Sequence, residues 1–246
     1  MNGATEALLA TLAAAAGAAT GFALNLPLVL PALTGLSAWL LMRRWLRAGD
    51  RSRTIFLMLW WAACLAGACI ALTLLWPERA RAVILNASAY SDEMRAWLAT
   101  GAGRESTPSQ FVPQHLLHAA IFCLLSVMTA GAAGLVMGAA LLHYMSFYVG
   151  DLIASCQGRP EAGLAIMLAW NPWSMVRVAS FIILGVLLSE PLMARIGRVG
   201  APALDGAGRR RWLLIALCGL ALDLALKTVL APLWPALLGG CIAESG

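Results

Sequence analysis

Asp223 and Lys227 stand four residues apart inside the last apolar run of this chain. That spacing puts both side chains on one helical face, carboxylate N-terminal to ammonium, which is the favourable order. In hydrocarbon each isolated charge costs about 3 kcal/mol or more. The two are therefore expected to pair, or to share a third partner such as Arg177, away from lipid. Arg177, Asp223 and Lys227 make up an intramembrane polar set of the kind that builds proton or substrate routes. The plainer reading is an ion pair that fixes helix register. Asn171, His143 and Glu190 lie near the ends of neighbouring apolar runs.

All three histidines fall between positions 115 and 143. His115 and His118 are three apart on one helical face, a spacing that can supply half a metal site. No carboxylate or cysteine stands near them in sequence to complete it, so they are weak metal candidates and no metal is expected. His143 could join them only through folding. The chain has no GxSxG elbow, no HExxH and no aspartate-rich diphosphate motif, and Gly150-Asp151 gives only the last two letters of the membrane aspartyl protease motif. With no nucleophile motif to anchor a reaction, an enzyme is the less favoured class. No cofactor is expected.

These residues sit in a chain of 246 residues that is 61% hydrophobic and 12% charged, with mean hydropathy +0.80. A soluble domain carries about 25% charged residues. Charge is missing from residues 7–42, 54–76 and 118–143, and each stretch is long enough to cross a bilayer. The class is all-α, a polytopic integral membrane helix bundle. The net charge of +5 does not point to nucleic acid, because the basic residues cluster at the ends of apolar runs. Arg43, Arg44, Arg47, Arg51 and Arg53 form one cluster; Arg195, Arg198, Arg209, Arg210 and Arg211 form the other. Both act as topology signals and are expected in the cytoplasm, where some could also hold anionic lipid headgroups. Cys64, Cys69, Cys123, Cys156, Cys218 and Cys241 form no CxxC, and are read as small buried hydrophobes instead of disulfides.

About seven membrane segments are expected, six to seven, in a single transmembrane domain over residues 1–246. Residues 5–46 read as a helical hairpin broken at Asn25, Pro27 and Pro31. Its first helix lacks a basic n-region and is expected to stay in the membrane rather than be cleaved. Gly17 and Gly21 give it a small-xxx-small face. Residues 54–76 are the cleanest span. Residues 77–113 are charge-balanced and read as external, an amphipathic helix over 79–99 on the membrane surface followed by a loop. Residues 114–157 are too long for one span and short for two. Parity between the two basic clusters asks for two helices hinged at Gly131 and Gly134, or for a re-entrant segment. Gly131, Gly134 and Gly138 are read as close-packing sites. A span over 163–192 starts at Pro172 with Asn171 as its cap and ends at Glu190-Pro191. Residues 193–211 form a basic cytoplasmic linker, and 212–239 the last span.

A glycine-rich stretch, Ala130-Gly-Ala-Ala-Gly-Leu-Val-Met-Gly138, leads to Ser146-Phe-Tyr-Val-Gly150 after a span and a long outer loop. The last span carries a polar residue, Lys227, five positions before Pro232, with Asp223 one turn away. In this pattern residues 54 to about 235 resemble the stage II sporulation protein M family of multi-pass membrane proteins. The His-Gly and downstream Glu of that family are replaced here by Asn171-Pro172 and Met175. The resemblance implies a non-enzymatic scaffold in a bacterial inner membrane.

The leading expectation is thus a non-catalytic scaffold or accessory subunit of a larger membrane assembly, whose partners are membrane lipid and other integral membrane proteins or further copies of the chain. The rival expectation is a small transporter, or transporter component, with its polar site at Arg177, Asp223 and Lys227. A third is a membrane enzyme or a metal- or haem-binding protein using His115 and His118.

Overall fold

The computed structural model describes residues 3–160, 162–196 and 206–242. These residues form an all-α bundle, and no strand occurs among them. Eleven helices are described, and six helical stretches are long and apolar enough to cross a membrane. The first hairpin is α1 (Gly3–Leu24) and α2 (Val29–Arg47). Its turn places Asn25 in the left-handed region, where Asn is tolerated better than most side chains. The helices close tightly, since a Cβ on Gly21 would lie 2.9 Å from the Leu30 Cα. Gly17 faces Thr34 in the same seam. The face of α1 that carries Gly17 and Gly21 is therefore packed within the chain. Helix α2 is not among the six apolar stretches, because Arg43, Arg44 and Arg47 occupy its last turns. It nevertheless packs along α1 and α7.

Helix α3 (Arg51–Leu75) starts at Asp50, whose carboxylate accepts from the Arg53 amide at 2.9 Å. This satisfies one of the free donors at the helix start. Residues 77–113 do not hold one surface helix. They form α4 (Pro77–Val83) and α5 (Ala87–Thr100), split at Asn86, which takes φ +62°. The stripe of α5 is not laid on lipid. Ser91, Met94, Trp97 and Leu98 are buried, and α5 packs on α7. Asp151 of α7 binds it there, accepting from Ser91 at 2.6 Å and Arg95 at 2.8 Å.

Residues 114–157 fall in two long antiparallel helices, each long and apolar enough to cross a membrane. Helix α6 begins earlier than expected (Pro108–Met128), and α7 spans Ala132–Ser155. Gly131 is the turn residue, at φ +89°. Gly134 is no second hinge: it lies inside α7 against Ser126, and Gly138 lies against Phe122. The closest backbone approach falls at Gly35, where a Cβ would stand 2.6 Å from the Val136 Cα.

Helix α8 (Ala162–Leu168) is followed by α9 (Pro172–Arg195). Asn171 makes no side-chain cap bond. Glu190-Pro191 does not end α9, which runs one more turn with Pro191 inside it. A proline removes one amide donor and crowds the preceding turn, which a helix end tolerates. The linker read over 193–211 is shorter than expected. Arg209, Arg210 and Arg211 already belong to α10 (Gly206–Leu230), and Arg198 lies outside the described residues. The helix that carries the last apolar run therefore already includes residues 206–211, and it breaks at Pro232 into a 3-10 turn and α11 (Trp234–Leu238).

The long helices alternate in direction and give the bundle two distinct ends. At the basic end, Arg53 pairs with Glu6 at 2.8 Å, and Trp212 Nε1 donates to Ser52 at 3.0 Å. The opposite end is capped by α5, α8 and α11 around buried Trp97, Trp173 and Trp234, while α4 packs separately against Phe22, Leu30 and Phe147. The cysteines are not all free: Cys156 and Cys241 form a disulfide in this cap. Arg159 reinforces it by donating to the Gly240 carbonyl at 2.6 Å. A separation of 85 residues and the absence of any CxxC hid this pair in the sequence.

Candidate functional site

Asp223 and Lys227 lie on the inward face of α10 and are buried. They make no ion pair with each other; His115 stands between them. Its Nδ1 lies 3.5 Å from the Asp223 carboxylate, and its Nε2 lies 3.4 Å from Lys227 Nζ and 2.7 Å from Arg177 Nη1. Lysine and arginine only donate hydrogen bonds. Nε2 must therefore accept, which puts the ring proton on Nδ1, toward Asp223. A neutral imidazole thus links one carboxylate to two cations.

Arg177 sits in the second turn of α9. Its Nε is 3.5 Å from Asp223, and its Nη2 donates to Ser174 at 3.1 Å. Lys227 is sealed from solvent by two groups: Glu105 at 2.9 Å and the Phe111 ring at 4.6 Å. The predicted set of Arg177, Asp223 and Lys227 is therefore brought together, with His115 and Glu105 added. Glu105 comes from the 3-10 turn Arg104–Ser106, in a Gly/Ser/Thr-rich loop that carried no signal of a buried role. The arrangement has slack. His115 Nδ1, Arg177 Nε and Asp223 Oδ1 are buried with no hydrogen-bond partner in the protein.

His118, one turn along α6, does not enter the cluster but faces a cavity beside it. This cavity, of about 70 Å³, lies between α3, α6, α7 and α9. Water needs about 10–15 Å³ of such volume per molecule, so the space matches a handful of waters. Its walls are mainly apolar, including Trp61, Phe122, Leu142 and Phe181, while Arg177, His115 and His118 close one end. Tyr144 lines the same space, and its ring lies 4.6 Å from that of Tyr90 on α5. Burial pushes the Tyr90 phenol well above its ordinary range, and the Glu105 charge adds to the shift.

No group of three or more His, Cys, Asp or Glu side chains suited to a metal ion occurs among the described residues. His115 is poorly placed for one, because the single lone pair of its Nε2 already accepts from Arg177, with Lys227 close by. His143 is elsewhere: buried in the seam of α2 and α7, it meets Thr34 at 3.3 Å. Glu190 is also elsewhere, at the basic end. There it forms a two-bond pair with Arg51, at 2.5 and 3.0 Å. The sequence reading gave Arg51 to topology alone. Arg43, Arg44, Arg47, Arg209, Arg210 and Arg211 gather at the same end.

Comparison with known proteins gave no match: no family model, no curated protein and no solved structure is similar to this chain. What the residues establish by themselves is an all-α bundle with helices long and apolar enough to span a membrane.

Proposed function

We propose that this chain is a binding component of the membrane, a small transporter or part of one, whose ligand occupies the cavity between α3, α6, α7 and α9. One observation carries the reading. One cation, Arg177, and two imidazoles, His115 and His118, close one end of a mainly apolar internal space. Ligand sites are typically apolar hollows with a few convergent polar groups. A purely structural ion pair needs no cavity beside it.

The orientation follows from two independent features. Arginine-rich ends face the cytoplasm, and a disulfide persists in an oxidising compartment. Here they mark opposite ends of the bundle, so the cap with Cys156 and Cys241 faces outward. That orientation fits a bacterial cytoplasmic membrane.

A second reading, the accessory subunit implied by the sporulation protein M resemblance, draws support from α6 and α10. Each turns a broad row of leucines outward, among them Leu116, Leu117 and Leu124 on α6 and Leu214, Leu217 and Leu222 on α10. Lipid alone accounts for such faces, so this reading ranks second.

The test is a screen for thermal stabilisation of the purified protein in nanodiscs, with Arg177→Gln as comparator. A ligand that raises the melting temperature of the wild type only, and is taken up by proteoliposomes, supports transport. Stoichiometric co-purification with foreign helices, without any ligand response, supports the subunit.

A further inference from the structure

We propose that the ligand is a single-chain amphiphile with an anionic head, drawn from the outer leaflet through the groove between α3 and α9. This rests on the binding reading above and names its ligand class and route. Beside the cavity runs an apolar groove of about 410 Å³ along α3 and α9. Ala62, Leu142, Val178 and Ile182 line both spaces, so a thin shared wall separates them. The α3 side is built from Ala62, Ala63, Ala66 and Gly67. A Cβ on Gly67 would meet nothing within 4 Å. Unlike Gly35, then, Gly67 does not serve close helix packing, and its missing side chain leaves the groove open.

The head is specified by charge. Among the residues lining the cavity, Arg177 is the charged one, a cation, beside the imidazoles of His115 and His118. The carboxylates of the cluster come from α10 and the Arg104–Ser106 turn, and line neither space. A half-buried guanidinium facing an apolar hollow favours an anion there, and charge-assisted bonds of this type are strong. The tail is specified by direction. Arg177 lies near the start of α9 and His115 near the start of α6, both toward the cap. Phe181 and Ile182 follow along α9, Phe122 along α6, and Leu135 lies toward the basic end of α7. Polarity thus falls from the cap toward mid-membrane, as it does along a lipid of that leaflet.

The experiment uses the full chain in nanodiscs and a fatty acid carrying a diazirine at mid-chain. Photolabelled peptides are mapped by mass spectrometry, with oleate and the uncharged oleyl alcohol as competitors. Labelling is expected on the α3 and α9 peptides lining the two spaces. Oleate should displace the probe at about tenfold lower concentration than the alcohol, the factor that one lost charge-assisted bond implies. In Arg177→Gln the two competitors should become equal, whereas Arg177→Lys should retain part of the difference. Gly67→Phe, which fills open space and leaves the core alone, should suppress labelling. Equal competition in the wild type would overturn the anionic head. Undiminished labelling of the cavity peptides in Gly67→Phe would overturn the lateral route while leaving the cavity a binding site. Labelling spread evenly over the lipid faces of α6 and α10 would overturn the site itself.

Discussion

Both ends of the bundle bury charge, but they bury it differently. At the basic end, Arg51 and Glu190 face each other with two hydrogen bonds, the carboxylate fully enclosed. The fork of the guanidinium matches the carboxylate. At the capped end, Arg177, Asp223 and Lys227 meet at the His115 imidazole and Glu105 joins through Lys227, with several contacts at 3.4–3.5 Å. Three of their atoms make no hydrogen bond in the protein, and a cavity lies alongside. A closed pair of matched geometry serves register and stability. A loose, shared network beside a hollow has capacity left for a ligand. Burial of charge by itself therefore does not identify a site; unfilled bonding capacity beside a cavity is the better sign.

The sharpest way to break this contrast is to strand a charge at each end. Arg51→Met leaves Glu190 buried without its partner, and the expected loss is about 3–5 kcal/mol. The double variant Arg51→Met with Glu190→Met should recover most of it, because matched apolar replacement of a buried pair is commonly near neutral. Melting temperatures in detergent check both. A single variant as stable as wild type would mean that the basic-end pair is solvated, and the comparison would fail.

The two ends are also stapled differently, one by ions and one by sulfur. Removing the Cys156–Cys241 bond through Cys156→Ser should cost about 2–4 kcal/mol, read as a lower melting temperature. On the orientation proposed above, a maleimide should reach a cysteine placed at the exposed Ala102 from outside intact cells. Labelling only after permeabilisation would reverse the orientation.

The bundle class and its apolar segments were legible because a bilayer imposes length and hydropathy on every crossing. Asp223, Lys227 and Arg177 were legible for the same reason, since charge inside apolar runs is rare. What escaped came from long-range contact. Glu105 lies in a polar loop, where an acidic residue attracts no notice. His115 was noticed for its spacing to His118, yet its role is set by α9 and α10. Glu190-Pro191 reads locally as a helix stop; packing on α3 through Arg51 carries α9 past it. The cap was misread because α5 has the stripe of a surface helix, and only tertiary contact decides whether lipid or protein covers that stripe.

At the capped end a single charge change should cost less than at the basic end. Asp223→Asn keeps the shape and leaves Arg177 with His115 and Ser174, while Lys227 keeps Glu105. The expected loss is about 1–3 kcal/mol, that of buried donors left without an acceptor. Thermal melting with and without ligand separates two effects. Asp223→Asn should lower the stability of the free protein modestly and change the ligand-induced shift. A loss as large as that of Arg51→Met would make the outer network a structural clasp of the same kind.

The smallest effect separates the glycines that close the bundle from the one that leaves it open. Gly35 and Gly67 are both helical, so alanine gains about 0.5–1 kcal/mol of helix propensity at either position. At Gly35 the new methyl would stand 2.6 Å from the Val136 Cα, and backbone cannot rotate away as a side chain can. Overpacking of about 1–3 kcal/mol outweighs the propensity gain, so Gly35→Ala should be destabilising. At Gly67 nothing lies within 4 Å, so only the propensity gain remains and Gly67→Ala should melt slightly higher than wild type. The same substitution is thus expected to change sign between a glycine that closes a helix seam and one that borders a groove. If Gly67→Ala is as damaging as Gly35→Ala, α3 and α9 close on each other at that position and the groove does not exist in the membrane.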